Sequence, residues 1–249
     1  MKKKGIEKNM SWNETNEALI RKDRYDFEDL KQIMRILRSE EGCPWDREQD
    51  HHSIRVCLIE ETYEVAEAID KEDTALLREE LGDLLFQVVF HAQIEAEAKG
   101  FDMEDVIHDI SAKMIHRHPH VFGKVEVENS QEVLQNWETI KTEEKQRNTL
   151  EEKLRAIPPM MPALMRASKV GKKTGRAEGR TPTEQLDVLE AELQSIRSAL
   201  ENGEDPKGSL GSFLMATTDL ARLLGVDAEH ALMQETDRII DAVSKQKTT

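Results

Sequence analysis

The chain has 249 residues, of which 38% are hydrophobic, 34% charged and only 4% aromatic, and its formal net charge is −15. So few aromatic residues and so much charge exclude a sandwich or barrel in favour of helices, and the acidity excludes a partner that is itself a nucleic acid polymer or an anionic membrane. The length allows one domain or two.

Residues 1–25 are polar and mixed in charge and read as a loose N-terminal arm. Met1-Lys2-Lys3-Lys4 is basic, but no apolar stretch of signal-peptide or membrane-spanning type follows. Cys43 and Cys57 form no metal-ligand pattern, so they read as reduced thiols of a cytoplasmic protein. The first helix is expected over residues 27–38, where Leu30, Ile33, Met34 and Leu37 give an i, i+3, i+4, i+7 stripe. Gly42 and Pro44 break it. Residues 45–53 are expected as a loop, with Trp45 near its start and Ser53 placed to cap the helix that follows.

The most informative stretch comes next. Glu60-Glu61-Thr62-Tyr63-Glu64 is followed, fifteen residues on, by Glu80-Leu81-Gly82-Asp83. Residues three and four apart share a helix face. Asp70-Lys71-Glu72-Asp73 is polar and suits a turn, so the segment reads as two antiparallel helices. Glu64 lies six residues before the turn and Glu80 seven after it, each roughly 10 Å away at ~1.5 Å per residue. By the same count Glu61 stands level with Asp83. The hairpin therefore gathers Glu61, Glu64, Glu80 and Asp83, with Glu60 beside them. A cluster of oxygen ligands without His or Cys suits Mg²⁺, with Mn²⁺ as a substitute. The bland alternative is wetted acidic surface, since the chain holds 50 Asp and Glu residues. Against it, Asp83 runs straight into Leu84-Leu85-Phe86-Gln87-Val88-Val89-Phe90, which must be buried. Leu58, Thr62, Val65 and Ile69 are expected as the inner stripe of the first helix, with Leu77, Leu81, Leu84, Leu85 and Val88 on the second. Gly82 costs a helix about 1 kcal/mol against Ala and suggests close approach of another helix. The second helix is expected to reach about Lys99 and end at Gly100.

A further helix is expected over residues 103–117, with Lys113 and Arg117 on one face of its last turn. That placement already suits a helix C-terminus electrostatically. His116, His118 and His120 around Pro119 read as a structural turn rather than a zinc site. Residues 133–145 form another expected helix, on which Trp137, Lys141 and Lys145 share a face. Residues 149–180 read as a linker holding one short helix over 163–173, because Pro158, Pro159 and Pro162 interrupt regular structure.

Residues 181–249 repeat the hairpin in worn form. Leu81-Gly82-Asp83-Leu84-Leu85-Phe86 aligns with Leu210-Gly211-Ser212-Phe213-Leu214-Met215. In that register Ala191, Glu192, Ser195, Ser209 and Ser212 stand where Glu60, Glu61, Glu64, Glu80 and Asp83 stand in the first half. The helical pattern survives, but of the five acids only one does, as Glu192.

The ordered set of Gly42-Cys43-Pro44-Trp45-Asp46, the two carboxylate motifs, Arg117-His118-Pro119-His120-Val121-Phe122, Asn136-Trp137-Glu138 and Leu164-Met165-Arg166-Ala167 resembles the MazG family, an all-α group of nucleoside triphosphate pyrophosphohydrolases. The resemblance implies an all-α bundle of two tandem related domains, with the catalytic one over 26–148; some family members have two intact copies, and this chain departs from them in its degenerate second domain over 181–249. It implies Mg²⁺-dependent cleavage of nucleoside triphosphates between the α and β phosphates and assembly as a homodimer. Glu61, Glu64, Glu80 and Asp83 would be the metal ligands, and Glu60 or Glu61 the group acting on the attacking water. Lys113 and Arg117 would face the phosphates, and Trp45, Trp137 and Lys141 the nucleotide. Trp45 as a core anchor, and Trp137 packed on the bundle with Lys141 in solvent, stand beside those roles. The family often has Thr where this chain has Asp50, so any role of that Thr is missing. Two other classes compete: a di-iron carboxylate bundle, which lacks a Glu-x-x-His pair within either carboxylate motif, and a non-catalytic nucleotide sensor or helical scaffold.

Overall fold

The computed structural model describes residues 12–144 and 149–246, so the expectations for the arm before Trp12 and for Lys145 lie outside the described residues. The described residues form helices and no strand. They divide into two compact units, residues 1–127 and 128–249.

The first unit contains α1 (Trp12–Ile20), α2 (Phe27–Arg38), α3 (Pro44–Glu48), α4 (Arg55–Asp70), α5 (Thr74–Glu97), α6 (Met103–Arg117) and α7 (Pro119–Phe122). Asp26 starts α2 through a reciprocal capping box with Asp29, and Asp102 starts α6 through the same arrangement with Asp105. Asp73 caps α5 by accepting from Ala75 and Leu76, which closes the α4–α5 hairpin at the expected turn. Met34, Ile54, Val89, Phe90, Ala92 and Met103 form the core, with Phe27, Leu30 and Phe86 packed around it.

One buried side chain ties three of these elements together. Arg38 on α2 grips the Glu97 carboxylate of α5 through Nε at 3.0 Å and Nη2 at 2.8 Å. Its Nη1 donates to the carbonyls of Asp46 and Gln49 at 2.6 and 3.1 Å. The guanidinium also lies 5.3 Å from the centre of the Phe90 ring. Burial alone would raise the Glu97 pKa, but the hydrogen bonds from Arg38 and Gln93 outweigh it and hold that carboxyl below its usual range.

Several expectations change. Pro44 does not merely end α2: it occupies the first turn of α3, where its missing N–H costs nothing. Ser53 does not cap α4; it exchanges hydrogen bonds with the Asp50 backbone instead. Helix α5 stops at Glu97, and the left-handed residue that ends it is Lys99, with φ 61°, rather than Gly100. Ile69, Leu81 and Leu85 are exposed, not part of an inner stripe, and the inner contacts of α5 come from Gln87, Val89, Phe90 and Ala92. A Cβ at Gly82 would meet nothing within 4 Å, so no helix of the described chain approaches it.

The second unit contains α8 (Ser130–Glu144), α9 (Leu150–Arg155), α10 (Ala163–Thr174), α11 (Pro182–Asn202), α12 (Lys207–Leu223) and α13 (Ala228–Gln246). The division lies ahead of α8, whereas the sequence groups that helix with the first half; α8 shares a cavity with α9 and α10. The linker carries α9 as well as the expected α10, because Thr149 and Glu152 form a capping box. Helices α11 and α12 make the repeated hairpin. Its register matches that of the first: buried Ala68 corresponds to buried Ala199, and Gln87, Val89 and Phe90 to buried Ala216, Thr218 and Asp219. The apolar Phe90 position thus holds a fully buried carboxylate in the copy. Asp219 is neutralised by Arg176 at 2.9 Å and Arg222 at 3.2 Å. Gly171 of α10 leaves the room, since a Cβ there would lie 2.6 Å from the Asp219 Oδ1.

Candidate metal centre

The acids converge because of how the hairpin is capped and spaced. Glu61 and Glu64 lie one turn apart on α4, and Glu80 faces them from α5 across the turn that Asp73 closes. One carboxylate oxygen from each of Glu61, Glu64 and Glu80 lies within 4.8 Å of the others. Glu61 and Glu80 are half-buried and Glu64 is exposed, so the cluster sits at the rim of the packed hairpin.

Electrostatics tests whether these residues fit a cation. Burial pushes the Glu61 pKa up; a hydrogen bond with Glu64 and the charges of Glu64, Asp83 and Glu80 push it further. Glu80 is raised by burial first, then by the charges of Glu64, Asp83, Glu79 and Glu67. Without a counter-ion the charged forms of Glu61 and Glu80 are therefore disfavoured relative to free carboxylates. Three converging carboxylates, with no nitrogen or sulfur ligand among them, match the donor preference of a hard divalent cation.

The expected residues divide as follows. Glu61, Glu64 and Glu80 come together. Asp83 is exposed one turn beyond Glu80, outside that group, though its charge is felt by both Glu61 and Glu80. Glu60 is exposed on α4. On α6 Lys113 is exposed and Arg117 is buried, with 6% of its surface accessible. Trp45 is 59% exposed on α3, which removes it as a core anchor of the first unit. In the second unit the Lys141 Nζ sits 4.4 Å from the centre of the Trp137 ring, a cation–π contact that orders both side chains. Cys43 and Cys57 are both free thiols.

A further polar group was not singled out from sequence. His51, in the segment between α3 and α4, stacks on His91 of α5 with ring centres 5.0 Å apart. Its Nδ1 lies 2.8 Å from the His91 Nδ1 and its Nε2 2.9 Å from Glu95. His91 and Glu95 are four residues apart on α5, a spacing visible in the sequence, but their pairing with His51 is a tertiary contact that no local pattern reveals. Burial, and then the neighbouring His51, push the His91 pKa down.

In the worn copy, the corresponding positions carry Ala191, Glu192, Ser195, Ser209 and Ser212. Among the described residues the Glu61, Glu64 and Glu80 group is the one such convergence of possible metal ligands. No helix of the described chain is long and apolar enough to cross a membrane.

Known proteins resemble this chain over much of its length. Residues 49–122, which span α4, α5, α6 and α7, match the MazG nucleotide pyrophosphohydrolase domain. A nucleoside triphosphate pyrophosphohydrolase/pyrophosphatase MazG from Thermotoga maritima is 38% identical over 223 residues, covering 89% of this chain and 85% of that protein. A nucleoside triphosphate pyrophosphohydrolase from Escherichia coli K12 is 44% identical over 216 residues, covering 84% of this chain and 82% of its own length. A crystal structure of a mazG-related protein from Thermotoga maritima is 32% identical, covers 46% of this chain and 98% of that one, and superposes with a TM-score of 0.40. The carboxylate hairpin and the two pyrophosphohydrolases aligned over most of their length place the chain in the MazG family of nucleoside triphosphate pyrophosphohydrolases.

Proposed function

We propose that the chain hydrolyses nucleoside triphosphates, ribo- or deoxyribo-, between the α and β phosphates, releasing a nucleoside monophosphate and pyrophosphate. The observation that carries this reading is the meeting of Glu61, Glu64 and Glu80 at the hairpin rim, with the pKa values of Glu61 and Glu80 raised by burial and mutual repulsion. These three residues, with Asp83 one turn away, would hold Mg²⁺ or Mn²⁺. Bound there, the metal would offset the triphosphate charge, polarise the attacked phosphorus and lower the pKa of a water. Glu60, adjacent and exposed, would orient or deprotonate that water, with Glu61 as the rival for the role. Lys113 is the α6 cation open to a phosphate oxygen, and Arg117 would add its charge from beneath. Trp45 presents an exposed ring for a base. Trp137 and Lys141, ordered against each other, would serve the nucleotide as well.

The same reading includes a homodimer and a cytoplasmic setting. Val56, Ile59, Tyr63, Leu81 and Leu85 are large apolar side chains left exposed on α4 and α5, and a second copy of the hairpin would cover them. The two free thiols suit a reducing compartment. The test is metal binding beside turnover. Mn²⁺ binding followed by electron paramagnetic resonance, and nucleotide hydrolysis, should both fall in Glu61→Gln, Glu64→Gln and Glu80→Gln. Full metal binding with lost turnover in all three would move the metal elsewhere.

A further inference from the structure

The second unit holds a cavity of about 350 Å³ between α8, α9 and α10, lined by Glu138, Lys141, Lys153, Ile157, Lys169 and Lys173 among others. In a chain of net charge −15, four lysines here face one carboxylate. The arrangement is built rather than incidental in three respects. Lys169 and Lys173 are one turn apart on α10 and so present their ammonium groups on the same side. Lys141 is fixed over the Trp137 ring at 4.4 Å, and both Lys141 and Lys153 are half-buried. The floor is the buried Ile157, flanked by Ala156 and Pro158, a low-dielectric base that strengthens interaction with charge above it. Among the described residues no ion pair engages Lys153, Lys169 or Lys173.

We propose that this cavity binds a polyphosphate group, the chemistry shared by pyrophosphate and by the phosphate chain of a nucleoside triphosphate, and does so without a metal. Like charges lining one cavity repel, and an anion carrying several charges is the partner that reverses the sign. An ammonium group is a point donor with three rotatable hydrogens, suited to phosphate oxygens spread along a flexible chain. The volume lies at the small end of ligand pockets and is sufficient for a di- or triphosphate. Lys141 is shared with the proposed nucleotide contacts; the rest of the cavity is separate from the acidic cluster, which repels phosphate unless a cation is present whereas the lysines attract it directly.

That difference sets the experiment. Binding of inorganic pyrophosphate to the full chain is measured by isothermal titration calorimetry in excess EDTA. The same titration is made with a non-hydrolysable triphosphate analogue, with a nucleoside monophosphate and with orthophosphate. The expected result is saturable binding of pyrophosphate and of the triphosphate analogue, about one per chain, weakening as NaCl rises. Monophosphate and orthophosphate should bind at least about tenfold more weakly. Lys169→Gln with Lys173→Gln should cost about tenfold or more, by loss of charge-assisted hydrogen bonds. Both sites are exposed, so circular dichroism should show the fold retained. Glu64→Gln should leave this metal-free binding unchanged even while it removes turnover, which separates the two proposals. Absence of binding in EDTA, binding undiminished in the double lysine variant, or equal affinity for monophosphate and pyrophosphate would each overturn the assignment.

Discussion

Replacing Arg38 by Met probes how the first unit holds its site together. Met keeps the apolar stem that lies against Phe90 and removes the guanidinium. In the native chain that group satisfies the Asp46 carbonyl at 2.6 Å and the Gln49 carbonyl at 3.1 Å while gripping Glu97. The Asp46 carbonyl lies in the interior, and leaving it unpaired costs about 1–3 kcal/mol. The Gln49 carbonyl is only partly buried, and Glu97 is 38% exposed, so both regain water and contribute less, about 1 kcal/mol together after screening. The sum is about 3 kcal/mol. For a unit of this size that is roughly a 10 °C fall in melting temperature, readable by thermal unfolding followed by circular dichroism. The sign with pH follows from Glu97. Its folded pKa lies below the unfolded value, so its pairing stabilises the fold above the ordinary carboxylate range and that contribution is lost as pH falls through the folded pKa. The gap between wild type and variant should therefore be widest near neutrality and should narrow below about pH 4. A variant within about 2 °C of wild type at pH 7, or a gap that widens in acid, would refute this account of the α2–α3–α5 joint.

Other consequences follow from the same geometry. Because Glu61 and Glu80 have raised pKa values before metal binds, protons compete with the cation: metal affinity, read by titration at several pH values, should fall as pH drops through and just above the usual carboxylate range. In the metal-free protein those two groups should act oppositely, favouring the fold at acid pH and withdrawing that support as pH rises through their folded pKa values. In the second unit, Asp219→Ala leaves Arg176 and Arg222 without their shared carboxylate; since those arginines are 45% and 24% exposed and partly rehydrate, the expected loss is about 2–3 kcal/mol, at or below the range for a broken buried pair, measured by urea unfolding. Gly171→Ala should also destabilise, because its Cβ would press on the Asp219 Oδ1. Leu81→Lys with Leu85→Lys should shift a dimer towards monomer in light scattering, with little change in helix content, if the exposed hairpin face is the one covered by a second copy.

Much of this architecture is written locally. Asp26 with Asp29, Asp73, and Asp102 with Asp105 announce helix starts by their own side chains, so α2, the hairpin and α6 are readable in order. The meeting of Glu61, Glu64 and Glu80 follows from helical spacing and one turn position. Facing was harder to read. Helix α5 is apolar on more than one side, so periodicity cannot choose between a stripe through Leu81 and Leu85 and one through Val89, Phe90 and Ala92. Pro44 carries two meanings, breaker and first-turn residue, and only the chain path selects the second. The Thr149–Glu152 capping box was visible yet masked by the prolines that follow. The His51–His91–Glu95 group and the lysine cavity join residues from separate elements, and such contacts leave no mark on any single stretch.

Cleavage between the α and β phosphates, dependent on the Glu61, Glu64 and Glu80 cluster, can be read from the products. The most direct measurement incubates the protein with a panel of ribo- and deoxyribonucleoside triphosphates, with Mg²⁺ and with chelator, and identifies the products by ³¹P nuclear magnetic resonance beside Glu64→Gln. The account predicts nucleoside monophosphate and pyrophosphate in equal amounts, dependent on the metal and absent in the variant. Nucleoside diphosphate with orthophosphate, or turnover that survives both chelator and Glu64→Gln, would contradict it.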